Sequence, residues 1–297
     1  MKFEPKGVIV PIVTSFEQNE EFNERVHREM IEFLIEKGVH GIFAAGSQGE
    51  FWALSREEKK RVFEVTTDEV NGRVPVYAGT GAESTRETIE LTKIAKDAGV
   101  DAVSVITPYF VKPSSKELLE HYRLVASGAD LPVIVYNNPE RTGGVTVDVE
   151  TLIELKDECD NVEGIKDSSG DLTLTTEYIR NCGSRVAVLA GRDSLILQTI
   201  VSGGRGAVAA CANVIPEIIV SLYDAAVKGN YKDALELQRK VAPLRIAFKL
   251  GSFPQVVKEA VNIIGFDVGN CRMPVTPLTS KKREKLIEIL RELKAII

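Results

Sequence analysis

Val162-Glu163-Gly164-Ile165-Lys166, followed at once by Asp167-Ser168-Ser169-Gly170, decides how the rest of the chain is read. The run is short, largely apolar and bounded by turn residues. Continuous runs of this length suit strands buried on both faces, and helical connections between them imply parallel pairing. Working outward, seven similar runs appear at Val8–Val13, Gly41–Ala45, Val74–Ala78, Ala102–Ile106, Pro132–Tyr136, Val186–Ala190 and Gly206–Ala210. Helical patterns lie between them. In Ser55–Val70, Ser55 with Glu58 makes a capping box; in Ser84–Ala98, Ser84 with Glu87 makes another, and Gly99 ends the helix. Eight strand–helix units predict an α/β protein, a (β/α)8 TIM barrel. A doubly wound sheet is the competitor, but Pro11-Ile12-Val13-Thr14-Ser15-Phe16 after the first run lacks its glycine fingerprint. After an eighth helix at Pro216–Lys228, three more helices are expected, near Tyr231–Leu250, Pro254–Ile264 and Ser280–Ile297. Residues 1–229 thus read as the barrel and 230–297 as a C-terminal helical appendage, not an independent fold.

Composition narrows the function classes. The 297 residues are 44% hydrophobic and 27% charged, with a net charge of -6 and both signs interspersed, so no basic footprint for nucleic acid or an anionic membrane is present. Cys159, Cys182, Cys211 and Cys271 stand far apart, which suggests reduced thiols and a cytoplasmic home. The start, Met1-Lys2-Phe3-Glu4-Pro5-Lys6, lacks the apolar core of a signal peptide, and no run is long enough to span a membrane. His27, His40 and His121 are isolated in or beside helical patterns, so solvated histidines are expected and a histidine metal site is not.

In such a barrel the chemistry gathers at the C-terminal ends of the strands. The second run leads into Gly46-Ser47-Gln48-Gly49-Glu50, the third into Gly79-Thr80-Gly81, the fifth ends at Tyr136 before Asn137-Asn138-Pro139-Glu140-Arg141-Thr142-Gly143, and the sixth ends at Lys166. An amine held in a partly apolar pocket loses solvation for its charged form, which frees a neutral nucleophile for attack on a carbonyl. A lysine snorkelling out of a strand end is the blander reading. Gly46 and Gly49 would let backbone N–H groups approach an anion such as a carboxylate, with Ser47 adding a hydroxyl; an ordinary turn needing glycine φ angles is the alternative. Tyr136 offers a phenol for proton transfer, or simply packs. Arg141 could grip a second carboxylate, or could be an exposed loop arginine. Arg192 and Asp193 read as a helix start with Asp193 near the N-cap. Gly203-Gly204-Arg205-Gly206 precedes the eighth run, so it falls on the opposite face and is set aside.

From Gly7-Val8-Ile9-Val10-Pro11-Ile12-Val13-Thr14 to Cys271-Arg272-Met273-Pro274, the chain resembles the dihydrodipicolinate synthase and N-acetylneuraminate lyase family of pyruvate-handling class I aldolases. The most specific parts are Gly46-Ser47-Gln48-Gly49-Glu50, Tyr136-Asn137-Asn138-Pro139 and Gly164-Ile165-Lys166-Asp167. The resemblance implies that Lys166 forms an imine with pyruvate or another 2-oxo acid, Tyr136 relays protons and Ser47 helps bind the carboxylate. Gly46, Gln48, Gly49, Arg141 and Val208 then count as substrate-binding positions. The covalent imine is the electron sink, so no cofactor or metal is expected. Homotetramers built as dimers of dimers are common in the family, with an aromatic residue matching Phe110 reaching a neighbouring subunit's site.

Arg141 matches the arginine that the synthases use for the semialdehyde carboxylate, which sugar-acid aldolases and the neuraminate lyase usually lack. The synthases join two tyrosines through a threonine, whereas the corresponding positions here are Tyr136, Ser47 and Phe110. Gln48 replaces a second threonine, and Gly-Ser-Gln-Gly-Glu-Phe and Asp167-Ser168-Ser169-Gly170-Asp171 lean toward hydroxy-oxoglutarate aldolases. The resulting expectation is synthesis of dihydrodipicolinate from pyruvate and aspartate semialdehyde. The alternatives are cleavage of a 2-keto-3-deoxy sugar acid or of 4-hydroxy-2-oxoglutarate and, from another class, a 2-oxo-acid sensor whose relay is crippled at Phe110. Phe51, Trp52 and Glu83 occupy the positions that bind feedback lysine in some synthases, so insensitivity to lysine is expected.

Overall fold

The computed structural model describes residues 3–296. Eight parallel strands close into a barrel in chain order: β1 (Gly7–Pro11), β2 (Gly41–Ala44), β3 (Val76–Gly79), β4 (Ala102–Ile106), β5 (Val133–Asn137), β6 (Val162–Asp167), β7 (Ala187–Ala190) and β8 (Gly206–Val208). The seam is β8 against β1, with Gly206 opposite Gly7. Around it run α1 (Glu24–Glu36), α2 (Arg56–Val70), α3 (Thr85–Asp97), α4 (Ser115–Ala129), α5 (Val149–Glu158), α6 (Leu172–Cys182), α7 (Ile196–Val201) and α8 (Pro216–Val227). The expected barrel with a C-terminal helical part is therefore the fold. All eight strands fall where the apolar runs lie; β4 matches its run at both ends, and the other seven are shifted by one or two residues at one end or both.

Local chemistry explains the helix boundaries. Ser55 and Glu58 form the complete capping box, with Oγ of Ser55 accepting from Glu58 N at 3.1 Å and Oε2 of Glu58 accepting from Ser55 N at 2.7 Å. At α3 only half a box forms: Ser84 accepts from Glu87 N at 3.2 Å, while the Glu87 carboxylate turns to Arg56. Gly99, at φ +81°, ends that helix in the left-handed region that glycine enters without penalty. Beyond the barrel come α9 (Tyr231–Ala247), α10 (Gln255–Ile263) and α11 (Ser280–Glu292). The last is shorter than the expected Ser280–Ile297, and Ile297 lies outside the described residues.

Strand side chains alternate between two cores. Ile9, Phe43, Tyr77, Ala102, Ile134, Leu189 and Val208 fill the barrel interior. Their neighbours, such as Val10, Ile42, Val103, Val135 and Ile165, face the helices. The pairing of β5 with β6 contains a bulge: Val133 faces Val162, but Ile134 already faces Gly164, so β6 takes two steps to one of β5. This offset brings Tyr136 opposite Lys166 and Asn137 opposite Asp167.

The histidines correct the expectation of solvated rings. His27 in α1 and His121 in α4 are buried, each bonded to a threonine of a neighbouring helix, Thr66 Oγ1 of α2 at 3.0 Å and Thr85 Oγ1 of α3 at 2.9 Å. Burial lowers both to about 4. Among the described residues no helix is long and apolar enough to cross a membrane, and no group of three or more His, Cys, Asp or Glu side chains is arranged to hold a metal ion.

Candidate active site

Tyr136 shares the inward face of β5 with Ile134, two residues earlier, and its register partner Lys166 points the same way. Lys166 Nζ lies 3.8 Å from the centroid of the Tyr136 ring and 5.1 Å from that of Phe43. Both Lys166 and Tyr136 are only 5% exposed. Burial disfavours the ammonium and holds Lys166 below the ordinary lysine value, against the opposing pull of Tyr136 and Asp193. For Tyr136 the balance differs. Burial alone raises a phenol, but the Lys166 charge and hydrogen bonds with Asn138, Ser47 and Ser168 outweigh it and hold the phenol below its ordinary value. Asn138 Nδ2 donates to the phenol oxygen at 2.8 Å. A less basic amine and a more acidic phenol therefore stand side by side, an arrangement suited to carbonyl addition with proton transfer.

Asp167 is a brace for this pair. Its Oδ1 accepts from Asn137 Nδ2 and Ser169 N, each at 3.0 Å, and its Oδ2 from Ser169 Oγ at 3.0 Å and Thr175 Oγ1 at 2.6 Å. A carboxylate so occupied locks the ends of β5 and β6 and the start of α6.

The loop after β2 supplies Ser47. Gly46 and Gly49 do not adopt positive φ; the left-handed residues are the flanking Ala45 (φ 45°) and Glu50 (φ 59°). The glycines serve close approach instead: a Cβ on Gly49 would sit 3.0 Å from the Ile12 carbonyl oxygen, and one on Gly46 would sit 3.0 Å from the Phe43 ring. Gln48 is 2% exposed, and neither end of its amide has a partner among the described residues. A buried amide left in that state is unfavourable until something polar meets it.

A cavity of about 350 Å³ opens over Ser47, Tyr136, Asn138 and Ser168. Its outer wall departs from the sequence reading. Arg245, Phe248, Lys249 and Phe253 line it, so the C-terminal extension forms part of the site. Arg141 stacks on Phe253, its guanidinium carbon 4.6 Å from the ring centroid. Asp193 begins a short 3-10 turn (Asp193–Leu195) as expected, but its buried carboxylate does not cap that turn; it accepts from Cys211 N at 2.8 Å and lies 3.7 Å from Arg245 Nε. Arg192 Nη2 pairs with Glu140 at 2.8 Å. Arg141, Arg192, Arg245 and Lys249 thus face only Glu140 and Asp193, and the mouth is net positive. The spacing of Arg245 and Lys249 is a weak sequence signal, because basic residues commonly end a helix.

The remaining candidates lie apart from this cavity's lining. Gly46 lines a smaller adjoining space with Ser47, Phe43 and Tyr136, and Val208 packs in the barrel interior with Phe43. Phe110, after β4, is 99% exposed and at φ 73°. Trp52 is half-exposed in the turn after the Ser47 loop.

A sequence model of the Dihydrodipicolinate synthetase family matches residues 4–293. The chain belongs to this family. A 4-hydroxy-tetrahydrodipicolinate synthase of Syntrophus aciditrophicus is 41% identical over 286 residues, covering 96% of this chain and 97% of that protein. One of Methanopyrus kandleri is 38% identical, covering 100% and 98%. Among solved structures, a chloride-inhibited dihydrodipicolinate synthase of Acinetobacter baumannii complexed with pyruvate superimposes with a TM-score of 0.95 at 35% identity, covering 98% of this chain and 99% of that one. An E. coli K12 prophage protein of the dihydrodipicolinic acid synthase family, also in complex with pyruvate, gives 0.94 at 33% identity, covering 98% and 99%. The resemblance read from the motifs is borne out, and the chain is an enzyme of this pyruvate-dependent class of lyases and synthases.

Proposed function

We propose that the enzyme is a 4-hydroxy-tetrahydrodipicolinate synthase, condensing pyruvate with aspartate semialdehyde through an imine on Lys166. The observation that carries this reading is the buried pairing of Lys166 Nζ with the Tyr136 ring, 3.8 Å apart, with Tyr136 itself in the lining of the cavity. Neutral Lys166 adds to the ketone carbon, and Tyr136 supplies the proton with which the former ketone oxygen leaves as water. The iminium draws electrons from the adjacent C–H bond, so the methyl group loses a proton and becomes an enamine. Its carbon then bonds to the aldehyde carbon, whose oxygen takes up a proton. The semialdehyde's amine closes the ring by adding at the imine carbon and expelling Lys166. The imine itself is the electron sink, so this sequence uses no cofactor or metal. Ser47, Gln48 and the N–H groups between Gly46 and Gly49 receive the pyruvate carboxylate, and Val208 forms part of the floor.

The net positive mouth favours an acceptor that carries a carboxylate, with Arg141 as its binding partner. Aspartate semialdehyde meets this condition, and so does glyoxylate, the aldehyde released by cleaving 4-hydroxy-2-oxoglutarate, which is the second reading. A neutral sugar aldehyde gains nothing from the surplus charge. Phe110 removes one relay hydroxyl, but Tyr136 keeps hydrogen bonds with Ser47 and Ser168, which supports turnover rather than a sensor. The exposed, left-handed Phe110 supports a homotetramer in which it packs on a neighbouring subunit. A cytoplasmic location fits the widely spaced, buried thiols.

The test is intact-mass measurement after pyruvate and borohydride, followed by rates with each aldehyde. Wild type gains a pyruvate-sized adduct, Lys166→Ala gains none, and Arg141→Ala loses semialdehyde condensation far more than pyruvate trapping. No adduct on wild type would sink the imine mechanism. Trapping without semialdehyde turnover would move the assignment to the second reading.

A further inference from the structure

Glu50 and Lys258 are both 0% exposed and meet at 2.7 Å across 208 positions of sequence, yet the proposed chemistry uses neither. A buried ion pair is weak support for stability, since apolar residues of the same volume often serve as well or better. Its geometry points elsewhere. One Glu50 oxygen takes the Lys258 ammonium, and the other accepts from Arg272 N at 2.9 Å. The ammonium also sits 4.0 Å from the centroid of the Phe16 ring. Glu50 ends the loop that carries Ser47 and Gln48, and its own N–H donates to the Ser47 carbonyl at 3.3 Å. Thr14 Oγ1 holds the Gly49 carbonyl at 2.6 Å. Ala45 and Glu50 bracket this loop in left-handed conformations that non-glycine residues keep only when their surroundings enforce them. At Glu50 the enforcement comes from α10 and the segment after it, in the C-terminal extension.

We infer that the Glu50–Lys258 pair is a positioning device for the carboxylate-binding loop, through which the C-terminal extension sets the enzyme's affinity for its 2-oxo acid. The inference rests on the reading of Lys166 as the imine lysine and of the Ser47 loop as the carboxylate site. It does not depend on which aldehyde is the acceptor. Ser47 bonds to Tyr136, so a loop released at Glu50 loosens both its hydroxyl and its N–H groups relative to the lysine.

The test measures borohydride trapping on Lys166 as a function of pyruvate concentration, with melting temperature recorded for each protein. Glu50→Gln with Lys258→Met removes both charges together, so neither is left buried alone. Glu50→Asp keeps the charge but draws the anchor back by one methylene, and serves if the double variant does not fold. The half-saturating pyruvate concentration is expected to rise about tenfold or more in either variant. Trapping at saturating pyruvate is expected to stay within about threefold of wild type. A folded variant with wild-type half-saturation, whether or not its melting temperature falls, would overturn the inference and leave the pair a stability feature. If wild type itself traps no pyruvate, the imine reading fails and carries this inference down with it; trapping in wild type with unchanged variants removes the inference alone.

Discussion

Lys166 is useful because the protein holds an amine where its charge is poorly solvated, and the opposing influences can be separated. Burial lowers its proton affinity, whereas Tyr136 and Asp193 raise it. Asp193→Asn removes one of the raising influences and leaves the Arg245 charge less compensated, so both effects act in the same direction. The amine must be neutral to attack, so the rate of imine formation climbs as pH passes upward through the Lys166 pKa. In Asp193→Asn that climb is expected at lower pH than in wild type. Rapid-quench borohydride trapping across pH checks it, and an unmoved or upward-shifted limb would contradict the assigned role of Asp193. Lys166 and Tyr136 were legible in the sequence because each ends an apolar run. Asp193 was misread there as a helix cap, because a polar residue at a turn says nothing of a backbone donor such as Cys211 N, 18 positions away.

The loop between β4 and α4 makes the clearest demand at the scale of elements. A phenylalanine at φ 73° is strained, and 99% exposure leaves its ring unpacked among the described residues. Both features make sense if a neighbouring subunit buries the ring. Phe110→Gly relieves the backbone strain, typically on the order of 1–3 kcal/mol, while deleting that contact. Sedimentation at micromolar protein is expected to show wild type as a tetramer and Phe110→Gly shifted toward smaller species. A monomeric wild type would remove the proposed assembly. Secondary structure at this scale followed from local signals: Ser55 with Glu58 at one helix start and Gly99 at a helix end work through neighbours a few residues apart. Strand ends moved by a residue or two because pairing, and not composition, fixes where a ladder stops.

For the molecule as a whole, the buried histidines set an acid limit on stability. His27 and His121 fall to about 4 from an ordinary value of 6.5. Between those values the unfolded chain binds protons that the native rings refuse, so stability is fully present above 6.5 and is lost as pH falls toward 4. Each residue's share is at most about 3 kcal/mol. The melting temperature of wild type is therefore expected to drop over this range more steeply than that of His27→Gln with His121→Gln. Equal slopes would assign the acid sensitivity to other groups. These rings were expected to be solvated, because an isolated histidine within a helical pattern carries no mark of which face it occupies.

Apolar runs, helix caps and the residues closing each run were sufficient to determine eight strand–helix units, the barrel, and the end of the barrel where Lys166, Tyr136 and Ser47 gather. These features depend on short-range periodicity and on the fixed polarity of parallel strands. The tertiary structure decided the rest. The bulge at Val162–Gly164 sets Tyr136 opposite Lys166, and Arg245 and Lys249 from the extension complete the cavity wall. The Glu50–Lys258 pair spans 208 positions. Each of these is a register or a contact between distant segments, fixed only when the barrel closes and the C-terminal helices pack against it, and no local pattern of residues encodes it.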